Sequence, residues 1–293
     1  MLLSELIGPV EKVKVLDNLT YAGSLDNLGG ICNDSRFTFV KGDICDEELV
    51  AQHIDEGDII VNFAAESHVD RSISDPSEFV RTNVLGTQVL LSAAVVKKAK
   101  IFLQVSTDEV YGSKESGKSK ESDPLLPNSP YAASKAAADL LVRSYVETYG
   151  LDARITRCCN NYGLRQYQEK FIPLAIQRIR EGKLIPIYGD GLNVREWIHV
   201  DDHCRGIQLA LNRGQKGEIY NLGSGVSFQN IEIAKKILYF SGNDDSKLQF
   251  VKDRLGHDFR YALNSEKAKS ILGFQAESSL DTTLMELVLS EEN

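Results

Sequence analysis

Two short segments carry most of the reactive chemistry in this chain. Ser106-Thr107-Asp108-Glu109-Val110-Tyr111-Gly112 places a hydroxyl and two adjacent carboxylates just past a strand candidate, and Tyr131 and Lys135 follow four residues apart on a helix candidate. Positions four apart on a helix share a face. A free tyrosine titrates near ~10 and is a poor base at neutral pH, but an ammonium beside it favours the phenolate. Such a phenol can take the proton of an alcohol while hydride departs. Asp108 and Glu109 are neighbours on extended backbone, so their side chains point in different directions and can address different substrate atoms. One can act as acid and the other as base if their surroundings separate their pKa values. Together the set can oxidise an alcohol, remove a proton beside the new ketone and expel a hydroxide. Taken singly, a Tyr-x-x-x-Lys also describes a helix-surface pair, and Asp-Glu a solvated acidic turn. It is their succession along the chain that favours chemistry.

The elements that must position these groups alternate along the sequence. Strand candidates are Val13–Leu16, Phe37–Lys41, Ile59–Phe63, Ile101–Val105 and Ala153–Cys158. Between them lie helical patterns at Glu78–Lys98 and Tyr131–Tyr149, with apolar residues at helical spacing. This order predicts an α/β protein with a Rossmann-like, doubly wound parallel sheet covered by helices on both sides. After about residue 160 the elements shorten and the loops become more polar. We therefore expect residues 1–160 to form a dinucleotide-binding domain, and 161–293 mainly a smaller α/β substrate lobe interleaved with the sheet.

Composition narrows the function classes. Of 293 residues, 42% are hydrophobic and 26% charged, ordinary for a soluble globular chain. The net charge of -9 argues against non-specific nucleic-acid binding. No apolar run is read as reaching the ~20 residues of a membrane span, and the N-terminus lacks the basic region of a signal peptide. Five scattered cysteines without a CxxC read as thiols in a reducing cytoplasm rather than disulfides or zinc ligands. Five scattered histidines without HxxxH or HExxH suggest no metal site.

A dinucleotide site needs an acidic residue at the end of a strand for the adenosine ribose and a glycine-rich turn for the pyrophosphate. Asp17 supplies the first; Asp43 ends the next strand candidate, and the small pair Ala64-Ala65 the third. No GxGxxG or GxxGxxG precedes Asp17, and the chain opens on MLLSELIG, which reads as the helix that should follow that turn. The expectation is a start codon placed too far downstream, with a strand missing beside the one ending at Asp17. A genuinely degenerate protein is the alternative.

The stretches LDNLTYAGSLDNL (16–28), FVKGDICD (39–46), NFAAESHVDRSI (62–73), STDEVYG (106–112), SPYAASKAAAD (129–139), RCCNNYG (157–163), IYGDGLNVREWIHVDDH (187–203) and DRLGHDFRY (253–261) resemble the dTDP-glucose 4,6-dehydratase family of the extended short-chain dehydrogenase/reductases. The resemblance implies an NAD-dependent lyase. Tyr131 would be the base for oxidation at C4, assisted by Lys135 and Thr107. Glu109 would remove the C5 proton, Asp108 would protonate the departing C6 hydroxyl, and hydride would return to C6. It implies cofactor contacts from Asp17, Asn18, Leu19, Thr20, Asp43, Ile44, Ala64, Ala65, Thr82, Tyr131, Lys135 and Asn161. It implies nucleotide-sugar contacts from His68, Thr107, Asn160, Glu169, Lys170, Pro186, Tyr188, Arg195, Asn221, Arg254 and His257. The guanidinium forks of Arg195 and Arg254 suit a diphosphate. Trp197 and Tyr188 can either stack on a base or fill the core of the second lobe, the core being the expectation for Trp197. The family also implies a cytoplasmic homodimer paired through two helices of the nucleotide domain, one of them carrying Tyr131. The sequence departs from the family at Leu164, Gln168 and Leu255, where prolines are usual, at Asn221-Leu-Gly-Ser-Gly225, after Phe274, and in the absent glycine loop. The competing readings are a catalytically silent nucleotide-sugar-binding fragment and a relative acting on UDP-glucose as dehydratase or epimerase.

Overall fold

The computed structural model describes residues 10–290. The helix expected over MLLSELIG lies outside them. The catalytic sheet runs β3 (Ile59–Asn62), β4 (Ile101–Thr107), β5 (Ala153–Cys158) and β9 (Ile219–Leu222), in that order and all parallel. β1 (Val13–Asp17) and β2 (Phe37–Lys41) form a separate parallel pair. Among the described residues β1 pairs only with β2 and β3 only with β4. Because β9 joins the sheet from beyond residue 160, the chain crosses back into the first layer after entering the second lobe.

β5 is buried at every position although Arg154, Thr156 and Arg157 interrupt its apolar residues. On one side of the sheet, Phe102, Leu151 and Ile155 pack with Val89, Leu91 and Val142. These come from α3 (Ser77–Val96) and α4 (Pro130–Tyr149). On the other, Leu103, Cys158 and Leu222 pack with Ile207 and Leu211 of α6 (Val200–Arg213). α3 contains a wide π turn over Val80–Gly86. At 20 residues it is long and apolar enough to cross a membrane by length and composition, which corrects the expectation that no run reaches that length. It carries Arg81 and packs its buried face on the sheet, as core helices of water-soluble folds do.

Local chemistry explains where α4 begins and ends. Ser129 accepts a hydrogen bond from the Ala132 N–H at 3.1 Å, Pro130 fills the first helical position, and Gly150 closes the helix with φ +69°. Such a cap is worth about 1 kcal/mol, and it fixes the register that places Tyr131 and Lys135 on the sheet side.

The second lobe contains β6 (Asn160–Tyr162), α5 (Phe171–Arg180), β7 (Ile185–Tyr188), β8 (Val194–His199), β10 (Ser227–Gln229), α7 (Asn230–Phe240), β11 (Leu248–Val251) and α8 (Leu280–Leu289). β8 lies between β10 and β6, and β11 pairs with β7. Its core gathers Tyr162, Ile172, Ile187, Trp197, Ile233 and Leu284. Trp197 is therefore a core residue.

Candidate active site

Thr107 ends β4 and caps the short turn Asp108–Tyr111, accepting from the Glu109 N–H at 3.2 Å. Gly112 follows with φ +71°; a Cβ there would meet the Leu126 carbonyl oxygen at 2.1 Å, so only glycine lets the chain leave the turn. This turn holds the acidic pair against α4. Thr107 donates to Asp108 Oδ1 at 3.3 Å, and it lies near enough to the Tyr131 phenol to favour the ionised form. Thr107, Asp108 and Tyr131 are all buried.

The two carboxylates have different surroundings. Burial, then the charges of Glu109 and Glu196, push Asp108 well above the usual carboxylate range, and its Oδ2 is buried without a protein partner. Glu109 is also raised by burial, but Arg254, Arg195 and Lys170 pull it back down. Both carboxylates are raised, but three cations oppose the rise at Glu109 whereas two carboxylates add to it at Asp108, a difference of the kind that separates an acid from a base.

The phenol departs from expectation. Burial, and then the negative charge of Glu109, push Tyr131 well above its ordinary value, with Thr107 acting in the opposite direction. Lys135 does share the helix face, but its Nζ donates to the Val105 carbonyl at 2.6 Å and its own pKa is lowered by burial. The expected lowering of the phenol by the ammonium is therefore not realised by the protein alone: the cation is tied to a neighbouring strand and desolvated.

Three cations face the acidic pair from the second lobe and its loops. Lys170 also hydrogen-bonds the Ser67 carbonyl at 2.9 Å. Arg254 keeps a buried Nε–H without a protein acceptor. Arg195 is buried over the Tyr261 ring, 4.4 Å from its centroid, and two of its nitrogens donate to the carbonyls of Val194 and Asp258. It shapes the local field more than it offers a free fork. His257 is held by Asp253 at 2.7 Å and pushed down to about 4 by burial and then Arg254, so it is neutral. Tyr188 packs edge-on to His257 and donates to Asp70. Pro186 lies beside it in β7. His68 caps α2 (Val69–Ser74), and Glu169 pairs with Arg71 at 3.1 Å, 4.0 Å from His68.

One expected contact is not at the site. Asn221 is fully buried; its amide accepts from Tyr111 and donates to the carbonyls of Ser119 and Asn264. It ties β9 to the turn and to the 264 segment, with both amide atoms engaged by the protein. Asn160 opens β6, partly exposed. Asn161 is committed to His203 at 2.9 Å and to the Cys159 carbonyl. Leu164 and Leu255 are highly exposed where prolines were expected.

On the dinucleotide side, Asp17 ends β1 exposed, with Oδ1 accepting from the Leu19 N–H at 2.7 Å. Asn18, Leu19 (φ +48°) and Thr20 form the tight turn behind it, where a Cβ on Gly23 would strike the Leu19 Cα at 2.7 Å. The turn thus presents a carboxylate outward, as a ribose diol requires. Asp43 is engaged with the Cys45 N–H and Arg81, and Ile44 is buried against Gly86. Ala64 and Ala65 leave the end of β3 open, and Thr82 is partly exposed on α3. The described residues fit the adenosine end and the reactive end of a dinucleotide; no glycine-rich turn precedes β1 among them.

Several positioning groups had no readable signal. Asn83 bridges the Glu66 backbone and the Ser134 hydroxyl, anchoring the N-terminal part of α4. Asp139 and Arg157 form a buried ion pair at 2.8 Å, and Arg157 continues to Tyr111. Cys158 sits beside Tyr131 and Asp108, its thiol pushed up to about 12 by burial and then Asp108. It lay within a quoted stretch but carried no functional expectation.

A parallel α/β sheet whose strand ends deliver a buried hydroxyl, Tyr–Lys helix and acidic pair defines a dehydrogenase-type site with an elimination step added. Comparison with known proteins agrees. A family model described as GDP-mannose 4,6 dehydratase matches residues 2–287. A dTDP-glucose 4,6-dehydratase of Actinoplanes sp. is 50% identical over 267 residues, covering 91% of this chain and 83% of that protein. A low-salt glycan biosynthesis protein of Haloferax volcanii is 53% identical over 274 residues, covering 94% and 88%. The crystal structure of the dTDP-glucose 4,6-dehydratase DesIV of Streptomyces venezuelae, with NAD and TYD bound, superposes with a TM-score of 0.94 at 52% identity, covering 96% and 87%. The chain belongs to the extended short-chain dehydrogenase/reductase superfamily, in the branch of the dTDP-glucose 4,6-dehydratases.

Proposed function

We propose that this chain converts dTDP-glucose to dTDP-4-keto-6-deoxy-glucose, using NAD without net redox change. The observation that carries this reading is the unequal environment of Asp108 and Glu109 beside Tyr131. Epimerising a sugar needs the Tyr–Lys helix but expels no water, so it gives this acidic pair no task. A UDP-glucuronic acid 4-epimerase of Bacillus cereus shares the fold at a TM-score of 0.88 but only 27% identity.

NAD would be held by Asp17 and its turn, Ala64-Ala65, Tyr131 and Lys135; when bound it supplies the acceptor for hydride from C4, the donor to C6, and a positive charge. Tyr131 takes the C4 hydroxyl proton, with Thr107 orienting that oxygen. Once C4 is a ketone the C5 proton is acidic, and Glu109 removes it. Asp108, which burial keeps protonated, gives its proton to the C6 hydroxyl as it leaves as water. Lys170 and Arg254 face inward from the second lobe, and the orphaned Nε–H of Arg254 suits a phosphate oxygen. Incubation of the purified chain with dTDP-glucose and NAD should yield a nucleotide sugar lighter by one water. Recovery of unchanged substrate from NAD-loaded protein would leave the silent-binder reading.

The homodimer is part of the same proposal. α3 and α4 expose Val80, Leu85 and Leu140, and an open apolar groove of about 680 Å³ runs between Val80, Val84, Leu85 and Leu141. Light scattering should give twice the monomer mass; a monomer would contradict it. The five free thiols suit the cytoplasmic setting we assign.

A further inference from the structure

The reactive groups stand on different elements. Tyr131 and Lys135 belong to α4, Thr107 to the end of β4, and Asp108 and Glu109 to the turn after it. Resting on the proposed dehydration, oxidation at C4 draws on the helix and Thr107, whereas elimination needs the acid and base of the turn set against C5 and C6 of the same sugar. The helix and β4 have anchors of their own: the Ser129 cap, the Asn83 bond to Ser134, the Lys135 bond to the Val105 carbonyl, and the pairing of Thr107 with Cys158. The turn closes on Tyr111, which is buried, with the Arg157 guanidinium carbon 4.8 Å from its ring centroid.

We infer that the Tyr111 hydroxyl is a positioning group for the elimination: held between Arg157 and Asn221, it fixes the turn carrying Asp108 and Glu109 against the helix carrying Tyr131. A continuous run of hydrogen bonds makes the link. Arg157 donates from Nε to Asp139 Oδ2 at 2.8 Å and from Nη1 to the Tyr111 hydroxyl oxygen at 2.8 Å. That hydroxyl gives its one hydrogen to Asn221 Oδ1, again at 2.8 Å. Asn221 Nδ2 continues to the carbonyls of Ser119 and Asn264. Asp139 lies on the buried side of α4, beyond Lys135; Arg157 lies on β5 beside Ser106; Asn221 lies on β9. One helix, two strands and the reactive turn therefore meet at a single phenol. All four side chains are buried, so solvent does not readily make good a lost bond. A buried ion pair adds little net stability, because desolvation opposes its attraction. What a buried polar network does supply is a rigid, particular arrangement of the elements it joins. Rigidity matters here because a misplacement of about 1 Å at a reacting centre can cost ~10²-fold in rate.

Tyr111→Phe, which removes the hydroxyl and keeps the ring, tests this. With NAD and dTDP-glucose its kcat should fall by about 10- to 100-fold, while KM stays within a few fold. The fraction of bound cofactor held in the reduced form at steady state, read by its absorbance, should rise, because elimination now lags behind oxidation. Deuterium at C5 of the substrate should slow the variant more than it slows the unaltered chain. If Tyr111→Phe does not fold, Asp139→Asn, which keeps an acceptor for Arg157 and removes the charge, is read the same way. A folded variant that loses oxidation and elimination in equal measure, with the reduced fraction unchanged, overturns the positioning role and leaves the dehydration standing. So does one that turns over as fast as the unaltered chain. Absence of product from the unaltered chain overturns the dehydration, and the positioning role with it.

Discussion

The β4–β5 half of the sheet and the β1–β2 pair are both parallel strand pairs but are covered very differently. β5 is buried at all six positions and β4 at six of seven. Neither β1 nor β2 has a buried residue, nor does the segment Leu25–Asn33 that joins them. Parallel strands normally have both faces covered, and a two-stranded pair is marginal by itself. The groups we propose to make and break bonds all hang from the dense half, where burial shifts their pKa values. Asp17, which we propose addresses a ribose that does not react, ends β1 and is exposed. Chemistry that depends on shifted pKa values needs the low-dielectric half; recognition of a diol does not.

The contrast can be broken most severely at the chemistry. Tyr131→Phe should lower kcat by about 10³-fold or more, since the base is lost, while the affinity for nucleotide sugar, measured calorimetrically, stays within a few fold. Retained turnover would remove Tyr131 from its role. In packing, Phe102→Ala should cost about 3–5 kcal/mol of unfolding free energy in denaturant titration. Val15→Ala on β1, where the side chain is only partly covered, should cost no more than about 1 kcal/mol. Equal losses would mean the two halves are equally buttressed.

A smaller effect separates the halves by pH. The folded chain holds the Asp108 proton above the pH at which an unfolded aspartate releases it. It therefore binds more protons than the unfolded chain in that window and loses stability as pH rises through it. Asp108→Asn has no proton to lose. Its thermal stability should gain on the unaltered chain from the ordinary carboxylate range towards neutrality, by on the order of 1–3 kcal/mol. Asp17→Asn, at an exposed position, should show no such trend.

Much of this was readable in the amino-acid sequence where the signal is local. The limits of β2 and β5 coincide with the strand candidates read from β-branched and aromatic residues, and the start and end of α4 follow from Ser129-Pro130 and Gly150. What escaped depends on partners far away in the chain. A spacing of four puts Lys135 on the face of Tyr131 but cannot say that its ammonium goes to the Val105 carbonyl. A motif match offers Asn221 to the substrate, whereas Tyr111, Ser119 and Asn264 consume its amide. The unequal acidity of Asp108 and Glu109 is likewise invisible in an adjacent pair, because Glu196, Lys170 and Arg254 that create it come from the other lobe.

The central claim is that oxidation, elimination and reduction occur on one hexose in one closed site. Substrate carrying deuterium at C4 tests it most directly. The account predicts that the keto-sugar product, read by mass spectrometry and proton NMR, holds that deuterium in its C6 methyl group. Product with deuterium lost to solvent, or still at C4 of an epimerised sugar, would contradict it.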